Sequence, residues 1–371
     1  MTILPIGETI DPWFPDPTTR DDSWAKRGES PFSWVSRSTV LRAASSRNFL
    51  NHNLALLPSA SQSTIYAALS TRWQSAFFEL VVARCLQQLG ASLIVEPEGT
   101  AGARIDFEAI FDDATVMVEA ISPIADGEVG DTLKQRNPLL DIIESALPPG
   151  WGVGISELPE LGLNDSKSEF RQTVIRMFGS VPSHVDQLDL VEEFPRGRLR
   201  LSLWRFPPGN AKVVFEPPMA AWNDAEDLIR RAVQRKKRQA RSAPHVALVA
   251  IHAAGLLSTF EDFDVALLGH SVMVIDQHRN VTGTRFDADG LLSSQRSEPP
   301  VFAGVLAFTA VGFRPFAHPV LYINSRFKGS LPKSLLSLEQ RCLSADRTYI
   351  SVRPSQRPNL LAGLGLIPDH T

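Results

Sequence analysis

Cysteine is scarce in this chain, with two in 371 residues, Cys85 and Cys342. A pair so far apart supports no disulfide framework and no zinc-ligand spacing, which fits a reducing cytoplasm. No apolar run reaches about 18 residues, so a membrane-spanning helix is not expected. The opening Met1-Thr2-Ile3-Leu4-Pro5 lacks the basic and apolar regions of a secretory signal. An excess of positive charge is lacking too, with a net charge of −4. A dedicated, non-catalytic nucleic-acid binder would usually be basic, so bulk electrostatic binding is disfavoured while a local basic groove is not. GxxxxGK[ST], HExxH and CxxC are absent and no GxSxG elbow follows a strand, so phosphate-loop, zinc-protease and elbow-serine chemistries have little support. No repeat or low-complexity tract appears.

What is present is organised around one hairpin. Arg104–Phe111 and Ala114–Ile121 each alternate as strands do, separated by Asp112-Asp113. A two-residue turn there sets Asp106 directly opposite Glu119, with Cβ atoms about 4.5–5.5 Å apart. Like charges so close need a counter-charge. A divalent metal held by both carboxylates supplies one, whereas a different register or a wet sheet edge removes the need.

Two helices offer partners. Residues 62–89 read as the longest helix, and Ala76–Ala83 is apolar all round except for Glu79. A buried carboxylate needs company, either from Arg72 or Arg84 or from the hairpin site. Residues 223–241 carry seven cations on a helix whose apolar stripe is Leu228, Ile229, Ala232, Val233 and Ala240. Lys236 and Gln239 fall on that stripe, so Lys236 either snorkels or reaches a buried acidic site. Arg231, Arg235, Lys237, Arg238 and Arg241 would supply phosphate contacts. Arg37, Arg42 and Arg47 recur along a predicted helix over 33–55, as a solvated face or a second phosphate-contacting one.

The remaining elements are strands at 92–96, 151–155, 201–204, 212–216, 245–252, 272–275, 301–308 and 320–323, with helices over 131–147 and 167–181. A further helix is expected up to Glu193, a hairpin pairing 201–204 with 212–216, and a flexible loop over 278–299. His245 and His252, without a third ligand, read as strand-end residues.

The order helix with Glu79, strand, Asp106 strand, Glu119 strand, helix resembles the core of the PD-(D/E)XK, or restriction-endonuclease-like, superfamily over residues 62–156, and more loosely over 223–252. The resemblance implies an α/β fold with a central mixed β-sheet flanked by helices, elaborated at both ends. It implies an arm and helix at 1–60, core at 61–156, an insertion at 157–222, the rest of the core at 223–353 and a tail at 354–371. It also implies a cytoplasmic Mg²⁺- or Mn²⁺-dependent nuclease acting on nucleic acid, with room for a homodimer or partner protein. Glu79, Asp106 and Glu119 would hold the metal. The family's lysine two residues after the Glu is here Ile121, so Lys236, with Gln239, would have to stand in for it. Without a cation near Asp106 and Glu119, the chain would be an inactive binding or scaffold protein on the same fold. An amine more than about 8 Å from both carboxylates would remove the enzyme reading, since one water could not bridge the gap.

Overall fold

The structure, a computed structural model, describes residues 12–23, 25, 29–97, 104–123, 128–160, 166–182, 185–205, 213–215, 225–241, 243, 245–253, 259–293, 300–309, 318–355 and 360. The first part of the expected arm, the 99–102 loop, the 207–210 turn, Asn223 and most of the tail lie outside them. The chain divides into two compact units, one of residues 1–25, 29–125 and 223–371, the other of residues 26–28 and 126–222.

The larger unit begins with α1 (Pro31–Arg37), α2 (Leu41–Ala55), α3 (Ser59–Thr71) and α4 (Trp73–Gln88). Both long helices expected here are broken. Ser38-Thr39-Val40 interrupts the first, where the Ser38 hydroxyl donates to the carbonyls of Asp21 and Ser23. The second breaks at Arg72, whose backbone leaves the helical region at φ −136° and ψ 56°. Two of the three arginines on α1 and α2 are structural, while Arg42 is exposed. Arg37 is clamped by Asp21 and Glu29, and Arg47 is buried, donating to the carbonyls of Val35 (2.7 Å) and Ser38 (2.6 Å) at the end of α1. Arg47→Ala is expected to cost about 2 kcal/mol in chemical denaturation, the worth of charge-assisted bonds to buried carbonyls.

Strands β1 (Ser92–Val95), β2 (Phe107–Ile110) and β3 (Thr115–Ile121) follow as an antiparallel meander. Phe107 pairs with Val118 and Ile110 with Thr115, and the Phe111 N–H donates to the Ala114 carbonyl across Asp112-Asp113. This is the expected two-residue turn and register.

The second unit is inserted after β3. It holds α5 (Glu128–Ala146), β4 (Trp151–Glu157), α6 (Lys167–Gly179), β5 (Gln187–Phe194), β6 (Gly197–Arg205) and β7 (Val213–Phe215). Its sheet runs β5-β6-β4-β7 over its own core of Ile143, Val153, Phe170, Val174 and Leu201. Several expectations fail here. The helix over 131–147 and the strand at 151–155 belong to this unit, not to the hairpin's core. The helix expected up to Glu193 is strand β5, whose partly covered positions alternate with exposed ones. Strand β7 pairs in parallel with β4, not with β6.

The chain returns through α7 (Ala225–Arg241) to β8 (Val246–Ala253), α8 (Phe260–Phe263), β9 (Ser271–Ile275), β10 (Val281–Phe286), β11 (Gly304–Thr309), β12 (Val320–Ile323), β13 (Glu339–Leu343) and β14 (Tyr349–Val352). A five-residue π-helical turn, Asp264–Leu268, extends α8 and stops at Gly269. That glycine sits at φ 111°, and a Cβ there would lie 2.5 Å from the Asp287 carbonyl oxygen. The loop expected over 278–299 in fact contains β10, which pairs with β9 in a hairpin outside the main sheet.

The central sheet is mixed and eight-stranded, in the order β1-β2-β3-β8-β11-β12-β13-β14. Strands β3, β8 and β11 run parallel at its centre, and their near-continuous apolar runs reflect burial on both faces. One face, with Val116, Val118, Leu248 and Phe308, packs against α4 through Phe78 and Val82. The other, with Val249, Ile251 and Val305, is covered by Ile229 and Val233 of α7 and by Phe263 of α8.

Candidate functional site

Asp106 sits one residue before β2, where the chain bends. Its side chain takes over where the ladder stops, and Oδ2 accepts the Ala120 N–H at 2.7 Å. That bond orients the carboxylate along β3. Glu119 lies on the same face of the sheet, in register with Val249 of β8. Its side chain is 1 % exposed. Its Oε1 is buried and accepts no hydrogen bond from the described residues.

Helix α7 covers this face with the stripe Ile229, Ala232, Val233 and Ala240. Lys236 falls on that stripe, and its Nζ lies 2.7 Å from Glu119 Oε2 and 3.5 Å from Asp106 Oδ2. Both distances are far inside the reach of one bridging water, about 8 Å. Gln239, one turn on, donates to the Arg104 carbonyl at 3.2 Å. It ties α7 to the segment that delivers Asp106, so its place is beside the carboxylates rather than between them.

Glu79 approaches from α4, in the opposite layer, and Arg72 donates to its Oε1 at 3.2 Å. Of the two arginine partners expected, Arg72 is the one that binds, because the break before α4 turns it back over the first turns of the helix. Among the described residues no three acidic, histidine or cysteine side chains converge closely enough to hold a metal ion. Glu79 therefore does not extend the Asp106–Glu119 pair into a triad.

The cluster is short of positive charge. When both carboxylates are ionised, Asp106 and Glu119 exceed the charge of Lys236 by one. Burial, and then repulsion from Asp106, push the Glu119 carboxyl well above its ordinary range. The same two causes raise Glu79 to about 7, against the opposing pull of Arg72 and Lys236. Burial alone would lower Lys236, but Asp106 and Glu119 outweigh it and hold its amine above the usual value.

Hard oxygen donors, a deficit of positive charge and an orphaned buried Glu119 oxygen fit a small divalent cation. Mg²⁺ is commonly held by one or two carboxylates with waters completing its shell.

Of the remaining cations on α7, Arg231, Arg235 and Arg241 are exposed, Lys237 is half-buried, and the side chain of Arg238 lies outside the described residues. Arg231 also donates to the Asp227 carbonyl one turn back. Arg230 is committed to the fold, bonded to the Val265 and Asp289 carbonyls and paired with Glu226 and Asp289. His245 and His252 stay apart from the cluster, one 3.8 Å from Glu108 and the other stacked on Phe78. The Ala120 amide was not foreseen, since a backbone group leaves no mark in sequence. None of the described helices is long and apolar enough to cross a membrane. Comparison with protein-family models, curated proteins and solved structures returns no match.

Proposed function

We propose that this chain is a divergent metal-dependent nuclease of the PD-(D/E)XK kind, in which a helix supplies the lysine that the strand lacks. The observation that carries this reading is the Lys236 amine, 2.7 Å from Glu119 and 3.5 Å from Asp106. The succession α4, β1, β2, β3, then α7 and β8 after the insertion, supports the restriction-endonuclease-like core.

Glu119, through its unbonded Oε1, and Asp106 would hold Mg²⁺ or Mn²⁺. Bound there, the ion supplies a Lewis acid for the scissile phosphate and lowers the pKa of a water. Lys236 keeps its proton on Nζ, where it orients the attacking water and offsets charge on the five-coordinate phosphate. Water oxygen adds to phosphorus as one of its protons passes to bulk water, the ester P–O bond breaks, and the leaving oxygen takes a proton from bulk water, giving a phosphate end and a hydroxyl end. Glu79, held by Arg72, adds negative potential beside Asp106. The outward cations of α7 grip backbone phosphates without reading bases.

The test is cleavage of plasmid, single-stranded DNA and RNA with Mg²⁺ or Mn²⁺, comparing the wild type with Asp106→Asn. Cleavage that survives Asp106→Asn would refute this site. The grip is tested separately. Replacing Arg231, Arg235 and Arg241 with alanine should weaken binding to every sequence alike. The slope of log affinity on log salt should fall by about 1 for each phosphate no longer neutralised. An unchanged slope would remove α7 from the interface.

Ile121 favours a second reading, an inactive nucleic-acid-binding member of the fold. It stands where the family's lysine would be and packs against the apolar core beneath α7. Retained binding without cleavage on any substrate would select it.

A further inference from the structure

Away from the carboxylates, a cavity of about 710 Å³ opens between α8, the β9–β10 hairpin and the β13–β14 turn. Its size is that of a small-molecule site. Three rings from three different elements line it, namely Phe260, Phe286 and Tyr349. Phe286 and Tyr349 stack at 5.7 Å with their planes 19° apart. The guanidinium of Arg341 lies 5.2 Å over the Phe260 ring. The Asp264 carboxylate, also in the lining, starts the π-helical turn, a distortion that recurs at functional sites.

The charges narrow the ligand. Arg341 NH1 is 2.7 Å from Asp264 and NH2 is 3.3 Å from Glu339, so two carboxylates already answer its charge. Glu261 adds a further acid to the lining. An anion would meet net negative charge. Ser271 and Thr284 are also in the lining, and their hydroxyls can donate or accept. Aromatic faces, hydroxyls that donate or accept, and carboxylates that accept match a flat, uncharged ring whose edge carries both acceptors and donors.

We propose that this cavity binds an uncharged nucleobase-class heterocycle, its face against Phe286 and Tyr349 and its edge toward the hydroxyls of Ser271 and Thr284 and the acids Glu261 and Asp264. The ring can come from a free nucleoside or from an unstacked base of a strand. The proposal does not depend on the nuclease reading, because none of the residues named here belongs to the Asp106–Glu119–Lys236 cluster.

The experiment titrates the full chain with adenosine, guanosine, cytidine and uridine by calorimetry, and repeats it with the matching 5′-monophosphates and with a single-stranded oligonucleotide as competitor. Phe286→Leu and Tyr349→Leu keep apolar volume but remove the π-face, and thermal unfolding checks that each folds. Saturable binding of at least one nucleoside is expected. Each leucine variant should weaken it about tenfold or more, the worth of one base–aromatic stack, and the monophosphate should bind more weakly than its nucleoside. Displacement by the oligonucleotide assigns the site to a strand's base, and its failure assigns it to the free nucleoside. Binding by none of the four nucleosides at millimolar concentration, or binding that both leucine variants leave unchanged, overturns the proposal. A monophosphate that binds as tightly as its nucleoside overturns the uncharged assignment.

Discussion

Lys236→Ala is expected to lower the rate of metal-dependent cleavage by about 10²- to 10³-fold, the usual loss when one group aimed at developing charge is removed. Lys236 is the cation that touches both Asp106 and Glu119, and the strand position that could replace it holds Ile121. The ordinary objection is that the variant loses structure rather than chemistry. A second substitution answers it. Ile121 lies two residues beyond Glu119 on the same face of β3, beneath α7. A lysine there can reach the carboxylates that Lys236→Ala leaves uncompensated. Lys236→Ala with Ile121→Lys should therefore recover roughly tenfold of the lost rate, because the electrostatic contribution depends on where the charge sits rather than which element carries it. Single-turnover rates at saturating metal give the comparison. Full activity in Lys236→Ala alone would end the assignment of Lys236.

The second large effect is on stability, and its direction is unusual for carboxylates. Glu79 and Glu119 both have folded pKa values of about 7, raised from 4.5 chiefly by burial. The folded chain thus holds protons that the unfolded chain releases between these two values. Stability from these groups is complete below about pH 4.5 and is lost as pH rises through 7, by about 3 kcal/mol for a fully independent group. The Lys236 amine, held above its ordinary value, keeps its charge throughout this window. The acids with depressed values act at the other end. Asp21, lowered to about 2 by bonds from Ser23 and Arg37, contributes stability that is lost only as pH falls below the ordinary carboxylate range. Urea midpoints of the metal-free chain should therefore be highest near pH 5 and clearly lower at pH 8. Glu79→Gln should flatten the alkaline side. Mg²⁺ should also restore the midpoint at pH 8, since a cation held by the folded site offsets the same charge that the proton does. A midpoint that rises steadily from pH 5 to 8 would contradict this account.

The parts of this site legible in sequence were those with a strong period. Two-residue alternation on either side of Asp112-Asp113 specified both the register and the opposition of Asp106 to Glu119. Lys236 was visible because a cation on an apolar stripe is out of place. The break at Arg72 was invisible, since neither glycine nor proline marks it, and with it went the choice of partner for Glu79. Strands β10 and β14 were missed because exposed strands lack a buried face to imprint alternation on their residues. Strand β5 did alternate, through Leu188, Leu190 and Phe194, but its acidic residues imitate the charged side of a helix. The boundary of the insertion was misjudged for another reason. Helix α5 and strand β4 are as apolar as core elements because they have a core of their own, and local pattern does not say to which of two cores an element belongs.

The separation of Lys236 from Glu119 by 117 positions has a consequence in time. A ribosome adding about 5–20 residues per second needs roughly 6–23 s to travel from the second carboxylate to the amine. The β1–β3 meander, built from neighbouring segments, closes early in that interval, whereas the β3–β8 pairing must wait for the whole inserted unit and α7 to emerge. Through that wait the hairpin presents its acids with no lysine beside them. The cluster is thus completed late in synthesis, and a chain that ends inside the insertion lacks α7 and has no Lys236 to set beside Asp106 and Glu119.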